Sequence, residues 1–156
     1  MAAPRISFKQ KLFTQMKNNS TLTGLLGPIT SDNFRIYSAY PQQQPKLSGT
    51  ESDEGWLVFF ELGTAIPFPH SLYEDFLFQF DIYGVRQTLG DEVVDTLDTM
   101  WHRAADQDGY TIDAERNVLF SQRVLSQDVY AEDARLFQKL VNYRYRVITN
   151  PWRAGA

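Results

Sequence analysis

Two histidines are the side chains best suited to acid–base or metal chemistry, and neither has partners at a catalytic spacing. His70 belongs to the Pro-rich segment PFPHS, which is typical of a turn at the protein surface. His102 lies near the end of a predicted helix, where a cationic side chain complements the helix dipole. No glutamate or cysteine stands at metal-ligand spacing from either histidine, so the sequence predicts no metal site.

Acidic side chains are numerous, but their spacing favours solvated surfaces over catalysis. They form three groups: Glu51, Asp53 and Glu54; Asp91, Glu92, Asp95 and Asp98; and Glu132 and Asp133. Nothing in this spacing indicates two carboxylates that face each other across a cleft, as a glycosidase requires. The chain has no cysteine, no phosphate-binding glycine loop and no G-x-S-x-G elbow. We therefore predict neither an enzyme nor a cofactor.

The segment NYRYRV, residues 142–147, could bind nucleic acid if its aromatic rings were exposed. In a strand, Tyr143 and Tyr145 share one face, and Arg144 and Arg146 share the other. Exposed aromatic rings beside basic groups serve as stacking platforms for single strands. The interpretation we favour is that the tyrosines pack inward, because the formal net charge of −4 is unlike that of a phosphate-binding surface.

The clearest hydrophobic pattern in the chain belongs to a segment that precedes NYRYRV in the sequence. Residues 74–84, EDFLFQFDIYG, alternate between two faces. One face carries Phe76, Phe78, Phe80 and Ile82, and the other carries Leu77, Gln79, Asp81 and Tyr83. The alternation predicts a strand with one apolar face and one largely polar face.

Hydrophobic periodicity assigns the remaining elements. It predicts helices over 7–18 and 86–104, strands over 34–40, 56–63 and 138–149, and a strand within 118–130. The connections are 19–33, 41–55, 64–71 and 106–117, with a turn or short helical piece over 131–137. This order predicts an α+β fold in which two helices pack on one face of a mainly antiparallel sheet of four to five strands.

Length and composition are consistent with one domain over residues 1–156. The chain is 43% hydrophobic, which suffices for a core, and it contains neither a membrane-spanning apolar run nor the apolar segment of a signal peptide. Residues 41–55 are rich in Pro, Gly and Gln, and we expect a mobile loop there. Residues 150–156 are expected to be a flexible tail.

Several segments in series resemble a known family. Helix 7–18 is followed by GLLGPI, a strand and a Tyr40-Pro41 break, and then by FQFDIYG, the helix GDEVVDTLDTM and the closing strand NYRYRV. This arrangement, over residues 7–148, resembles the small tail-completion proteins of long-tailed bacteriophages, which include tail terminators and head–tail joining proteins. The shared motifs are patterns of hydrophobic and aromatic residues and not catalytic signatures.

The resemblance implies a structural virion protein that forms a ring, typically a hexamer, at the head-proximal end of the tail. Such a ring terminates the tail tube and joins it to the head connector. The implied partners are further copies of the chain, the tail tube protein and the head–tail connector protein. DNA would pass through without sequence-specific binding, no membrane or cofactor is implied, and assembly would take place in the host cytoplasm.

Three segments are candidates for contacts with neighbouring subunits or partners. Gln79, Asp81 and Tyr83 form the strand face that we expect to be exposed to a lumen or a neighbour. The 41–55 loop and the 150–156 tail are expected to order on assembly. They contribute Lys46, Glu51, Asp53, Glu54, Trp152 and Arg153. The expectation for the strand fails if Asp81 is buried within a single protomer and paired there.

A different class of function stays open at the level of sequence. A small α+β enzyme or ligand-binding domain could enclose an aromatic-lined pocket between a curved sheet and a helix. His70, Asp81 and Tyr83 would then supply polar groups inside that pocket. A deep cavity that holds a carboxylate of strongly raised pKa would support this alternative.

Overall fold

The structure is a computed structural model that describes residues 4–27, 35–39, 55–65, 73–102, 110–113, 116–131 and 136–149. Its helices are α1 (Pro4–Asn18), α2 (Ser20–Leu26) and α3 (Leu89–Trp101). Its strands are β1 (Ile36–Tyr37), β2 (Gly55–Ala65), β3 (Tyr73–Gly84), β4 (Tyr110–Asp113), β5 (Arg116–Ala131) and β6 (Leu136–Thr149).

The strands form one sheet in the order β1-β2-β3-β6-β5-β4. The short β1 pairs parallel with β2, and all the other neighbouring pairs among the described strands are antiparallel. The predicted α+β fold with a mainly antiparallel sheet is thus confirmed. The described part contains three helices where two were predicted, and β4 brings the sheet to six strands where four to five were predicted.

The helices pack on one face of the sheet, which we call the helix face. The predicted apolar side of β3 lies there, and Phe76, Phe78, Phe80 and Ile82 are all buried. From α1, Phe8 stacks on Phe76 with ring centroids 4.6 Å apart. Helix α3 buries a residue at every fourth position, namely Leu89, Val93, Leu97 and Trp101. The amphipathic pattern of α3 therefore reflects its packing against the sheet.

Helix α2 is a correction to the predicted connection after residue 18. The first helix ends at Asn18, as predicted, but Asn19 is the N-cap of α2, and its Oδ1 accepts a hydrogen bond from the Leu22 backbone N–H at 3.0 Å. Leu22 and Leu26 are buried in the core. The helix ends at Gly27, whose φ of 103° lies in the left-handed region that glycine tolerates best.

Other boundaries differ from the predictions because strand pairing decides where strands begin and end. Strand β4 lies within 106–117, which was predicted to be a loop, and it pairs with the start of β5. Strand β5 occupies all of 116–131, whereas β1 is much shorter than the predicted strand 34–40. The segments 41–54 and 150–156 lie outside the described residues.

Among the described helices, none has the length and apolar character that a membrane-spanning segment needs.

Candidate functional site

The sheet face opposite the helices, which we call the outer face, carries the three predicted contact residues of β3. Gln79, Asp81 and Tyr83 alternate with the buried phenylalanines, as the sequence pattern predicts. Strand register places Phe60, Val58 and Trp56 of β2 directly beside them. The outer face thus carries apolar and aromatic residues of β2 as well as the polar residues of β3.

Asp81 is buried within the protomer, with 1% of its surface exposed. Its Oδ1 accepts a hydrogen bond from Gln79 Nε2 at 2.9 Å, and its register partner Val58 is fully buried. The expectation that Asp81 is exposed on a single protomer is therefore wrong. Alternation along one strand identifies the face on which a side chain lies, but neighbouring strands determine how deeply it is covered. A buried carboxylate needs such hydrogen bonds, since its desolvation is costly.

Gln79 and Tyr83 remain half-buried and are still candidates for contact with a partner. The Tyr83 ring stacks on Trp56 with centroids 4.1 Å apart and an interplanar angle of 12°. Its hydroxyl accepts a hydrogen bond from Gln138 Nε2 at 3.1 Å. These contacts hold Tyr83 in one orientation near the end of β3.

The remaining predicted contact residues lie outside the described part of the chain. They are Lys46, Glu51, Asp53, Glu54, Trp152 and Arg153. His70 lies outside it as well. Their proposed roles stay predictions.

The two tyrosines of NYRYRV are buried on the helix face, which confirms the inward-packing interpretation. Tyr145 packs edge-on against Phe8 at 5.3 Å, and the Tyr143 hydroxyl donates a hydrogen bond to Asp98 Oδ1 at 2.5 Å. Burial, together with the hydrogen bond to the Asp98 carboxylate, strongly raises the pKa of Tyr143. Neither ring is available to stack on a nucleic-acid base, so the alternative of a stacking platform is wrong.

Polar side chains around the end of α3 hold the helix against the sheet. Arg123 Nη1 lies 2.9 Å from Asp98 Oδ2, and the Arg123 backbone N–H donates to His102 Nδ1 at 3.0 Å. Trp101 Nε1 donates to Gln15 Oε1 at 2.9 Å, which links α3 to α1. His102 therefore accepts a hydrogen bond that joins the end of α3 to β5.

A cavity of about 220 Å³ opens where the start of α3 meets the β5–β6 hairpin. It is lined by Gln87, Gly90, Asp91, Asp128, Val129, Phe137, Gln138 and Lys139. Burial alone would lower the pKa of Lys139, but hydrogen bonds to Asp91 and Asp128 outweigh it and raise that pKa. The lining includes neither Asp81 nor Tyr83, so this cavity is not the aromatic-lined pocket of the alternative hypothesis. Among the described residues, no group of three or more His, Cys, Asp or Glu side chains could hold a metal ion.

Three large aliphatic side chains on the outer strands of the sheet are exposed, and sequence reasoning missed them. Leu62 of β2 is 44% exposed, and Val124 and Leu125 of β5 are 46% and 45% exposed. Leu62 and Val124 each lie at a β-bulge, where one strand has an extra residue relative to its partner. Bulges depend on pairing between strands, so alternation within either strand could not reveal them.

Comparison with known proteins finds a solved structure with a similar fold. No protein-family model matches the chain, and no curated protein matches it. One similar solved chain belongs to a structure described as the virion of a native gene transfer agent particle. The two chains superpose with a TM-score of 0.64 at 11% sequence identity, over 94% of this chain and 98% of the other. At this identity the likeness establishes a shared fold over nearly the full length of both chains.

Proposed function

We propose that this protein is a structural component of a phage-like virion. The observation that carries the proposal is the likeness to a chain of the gene transfer agent virion, because it covers almost all of both chains. A shared fold alone does not define a function. The second support is independent of it, since the segments from GLLGPI to NYRYRV resemble the tail-completion proteins of long-tailed phages.

Within the virion, we propose a ring at the head-proximal end of the tail. The ring would terminate the tail tube and present a surface to the head connector. Its partners would be further copies of this chain, the tail tube protein and the connector protein. The acidic net charge of −4 suits a ring through which DNA passes, because each basic contact with phosphate would add affinity and retain the DNA.

The polar networks of the described part are consistent with a structural role. Asp98 binds both Arg123 and Tyr143, and Lys139 binds both Asp91 and Asp128. Each of these pairs connects α3 to β5 or β6, or joins the two strands. Such networks give a rigid protomer, and a rigid protomer suits an assembly whose geometry must be the same in every copy.

The proposed function is tested by adding the purified protein to its cognate tail tube protein during polymerisation. The expected result is shorter tubes, with the added protein located at tube ends by negative-stain electron microscopy. An unrelated protein of equal mass and charge serves as the control. Unchanged tube lengths and no material at the tube ends would contradict the terminator role, and binding to connectors alone would indicate a joining role instead.

A further inference from the structure

The described β1 and β4 cover only short stretches of the two long strands beside them. Strand β1 pairs with Leu57 and Val58 of β2, which has 11 residues. Strand β4 pairs with residues 116–118 of β5, which has 16 residues. Leu62, Val124 and Leu125 are exposed along the remaining lengths. Among the described residues, no further strand pairs with these lengths, residues 59–65 of β2 and 119–131 of β5, which are called the β2 edge and the β5 edge. At Arg123 the backbone N–H of the β5 edge is bound by His102, so the contact inferred there is made by side chains.

One row of paired residues on the helix face ends in opposite charges at the two edges. Strand register connects Glu61 to Phe78, Phe78 to Tyr143 and Tyr143 to Arg123. Glu61 thus stands at the β2 edge and Arg123 at the β5 edge, at the same height along the strands. The Arg123 guanidinium already binds Asp98, but its five N–H donors can serve a second carboxylate. A second copy at the same height would bring Glu61 and Arg123 together.

The next row, on the outer face, ends in apolar side chains at both edges. Register connects Phe60 to Gln79, Gln79 to Asn142 and Asn142 to Leu125. Phe60 is half-buried and Leu125 is 45% exposed. On β5 the bulge residue Val124 lies between these two rows, and on β2 the bulge residue Leu62 follows Glu61. The two edges are therefore complementary in charge on one face and apolar on the other.

Strand directions also suit contact between the edges of two copies. Strand β2 runs antiparallel to β3, β3 to β6, and β6 to β5, so β2 and β5 run in opposite directions. A second copy in the same orientation would therefore place its β2 antiparallel to β5 of the first copy. Antiparallel pairs are the commoner arrangement in sheets.

We infer that copies of this protein associate head to tail, with the β2 edge of one copy against the β5 edge of the next. This inference rests on the proposed ring assembly and names the surfaces that build it. Because the two edges differ, the contact is heterologous, and repetition through a closing rotation gives a ring. Glu61 of one copy meets Arg123 of its neighbour, and Phe60 meets Leu125. The bulge residues Leu62 and Val124 lie on either side of the Glu61–Arg123 contact, close enough for a short cross-linker to join them.

Site-directed cross-linking tests the inference directly, because the natural chain contains no cysteine. Leu62→Cys and Val124→Cys replace exposed side chains and are expected to leave folding intact. With a short bis-maleimide, a mixture of the two variants should give cross-linked dimers, whereas each variant alone should give none. A chain that carries both substitutions should give a ladder whose largest member equals the number of protomers in the ring.

The matched control pairs Val124→Cys with Lys11→Cys, since Lys11 is exposed on α1 and belongs to neither edge. This mixture should give no dimer. Dimers from Leu62→Cys alone, or from Val124→Cys alone, would overturn the head-to-tail order in favour of a two-fold contact. The inference would be overturned if the mixture of Leu62→Cys and Val124→Cys gave no cross-links, either alone or with tail tubes present.

A substitution at the β2 edge gives a second readout. Leu62→Asp should raise the dissociation constant of the assembly at least about tenfold, because an unpaired carboxylate would be buried in the contact. Thr21→Asp, at an exposed position of α2, adds the same charge and should leave the mass of the assembly unchanged. Light scattering measures the mass of the assembly for each variant over a range of protein concentrations. An assembly unaffected by Leu62→Asp would contradict the inference.

The outcomes separate this inference from the proposed function. A ring-sized species that caps tail tubes but shows no cross-link between positions 62 and 124 would retain the function and reject the edge contact. Cross-linked rings that neither cap tubes nor bind connectors would retain the edge contact and reject the tail role.

Discussion

At the scale of single residues, the polar side chains of greatest interest act through burial and pairing. Asp81 lies on the face that alternation predicted, yet it is buried and bound to Gln79. Tyr143 lies in a segment that could have suggested nucleic-acid binding, yet its ring is in the core and its hydroxyl binds Asp98. In both cases the neighbouring strand or helix decides the role of the side chain.

The raised pKa of Tyr143 predicts a loss of stability at alkaline pH. Its ordinary value is 10.0, so above about pH 10 the unfolded chain releases this proton while the folded chain keeps it. The contribution of Tyr143 is fully present below that pH and declines as the pH rises further. Urea unfolding of Tyr143→Phe against the natural chain should show a shallower decline between pH 9 and 11, roughly the range around the ordinary tyrosine pKa. Equal slopes would contradict the assignment.

At the scale of elements, short-range capping and close backbone approach position α2 and α3. Asn19 begins α2 immediately after α1 ends at Asn18. Gly55 lies where a Cβ would contact both the Leu89 side chain and the Tyr83 carbonyl oxygen. Both residues matter because helices and strands pack closely at those points, and neither role is visible from hydrophobic periodicity.

Asn19→Ala should destabilise the protein by about 1 kcal/mol, because it removes the side-chain acceptor for the Leu22 backbone N–H. Asn18→Ala is the matched control, since Asn18 is exposed at the end of α1 and should tolerate the change. Urea denaturation followed by circular dichroism measures both variants. If Asn18→Ala lowered the free energy of unfolding as much as Asn19→Ala, a specific N-cap at Asn19 would be contradicted.

Gly55→Ala should destabilise the protein by about 1–3 kcal/mol, because the added methyl would overlap Leu89 and the backbone of β3. Gly63→Ala, in the same strand, is the matched control, since nothing lies within 4 Å of its added Cβ. Thermal unfolding of the pair provides the comparison. Equal melting temperatures for the two variants would show that the close contact at Gly55 relaxes without cost.

At the scale of the whole molecule, the central strands of the described sheet are paired on both sides along most of their length, and the strands toward its two sides are paired less fully. Strands β3 and β6 each have a long strand on both sides, whereas β1 and β4 pair with short stretches of one neighbour. The central strands also carry most of the aromatic core that the helices cover. Among the described strands, the β2 and β5 edges have a partner on one side only, and the inferred contact between copies uses these two edges.

Hydrogen exchange should follow this arrangement. Backbone amides of β3 and β6 should exchange most slowly, near the rate of global unfolding, and those of β1 and β4 should exchange fastest among the strands. On assembly, the β2 and β5 edges should gain protection, while the exposed side of α1 should not change. Mass-spectrometric exchange at low and high protein concentration measures both effects. Protection gained on α1 in place of the two edges would place the subunit contact elsewhere.

The sequence alone determined the α+β class, the two faces of β3, the amphipathic face of α3 and the inward position of Tyr143 and Tyr145. These features follow from local periodicity, which each segment carries by itself. The tertiary structure decided the burial of Asp81, the bulges at Leu62 and Val124, and the rows that connect one edge of the sheet to the other. Such features depend on the register between strands that are distant along the chain, and no single segment contains that information.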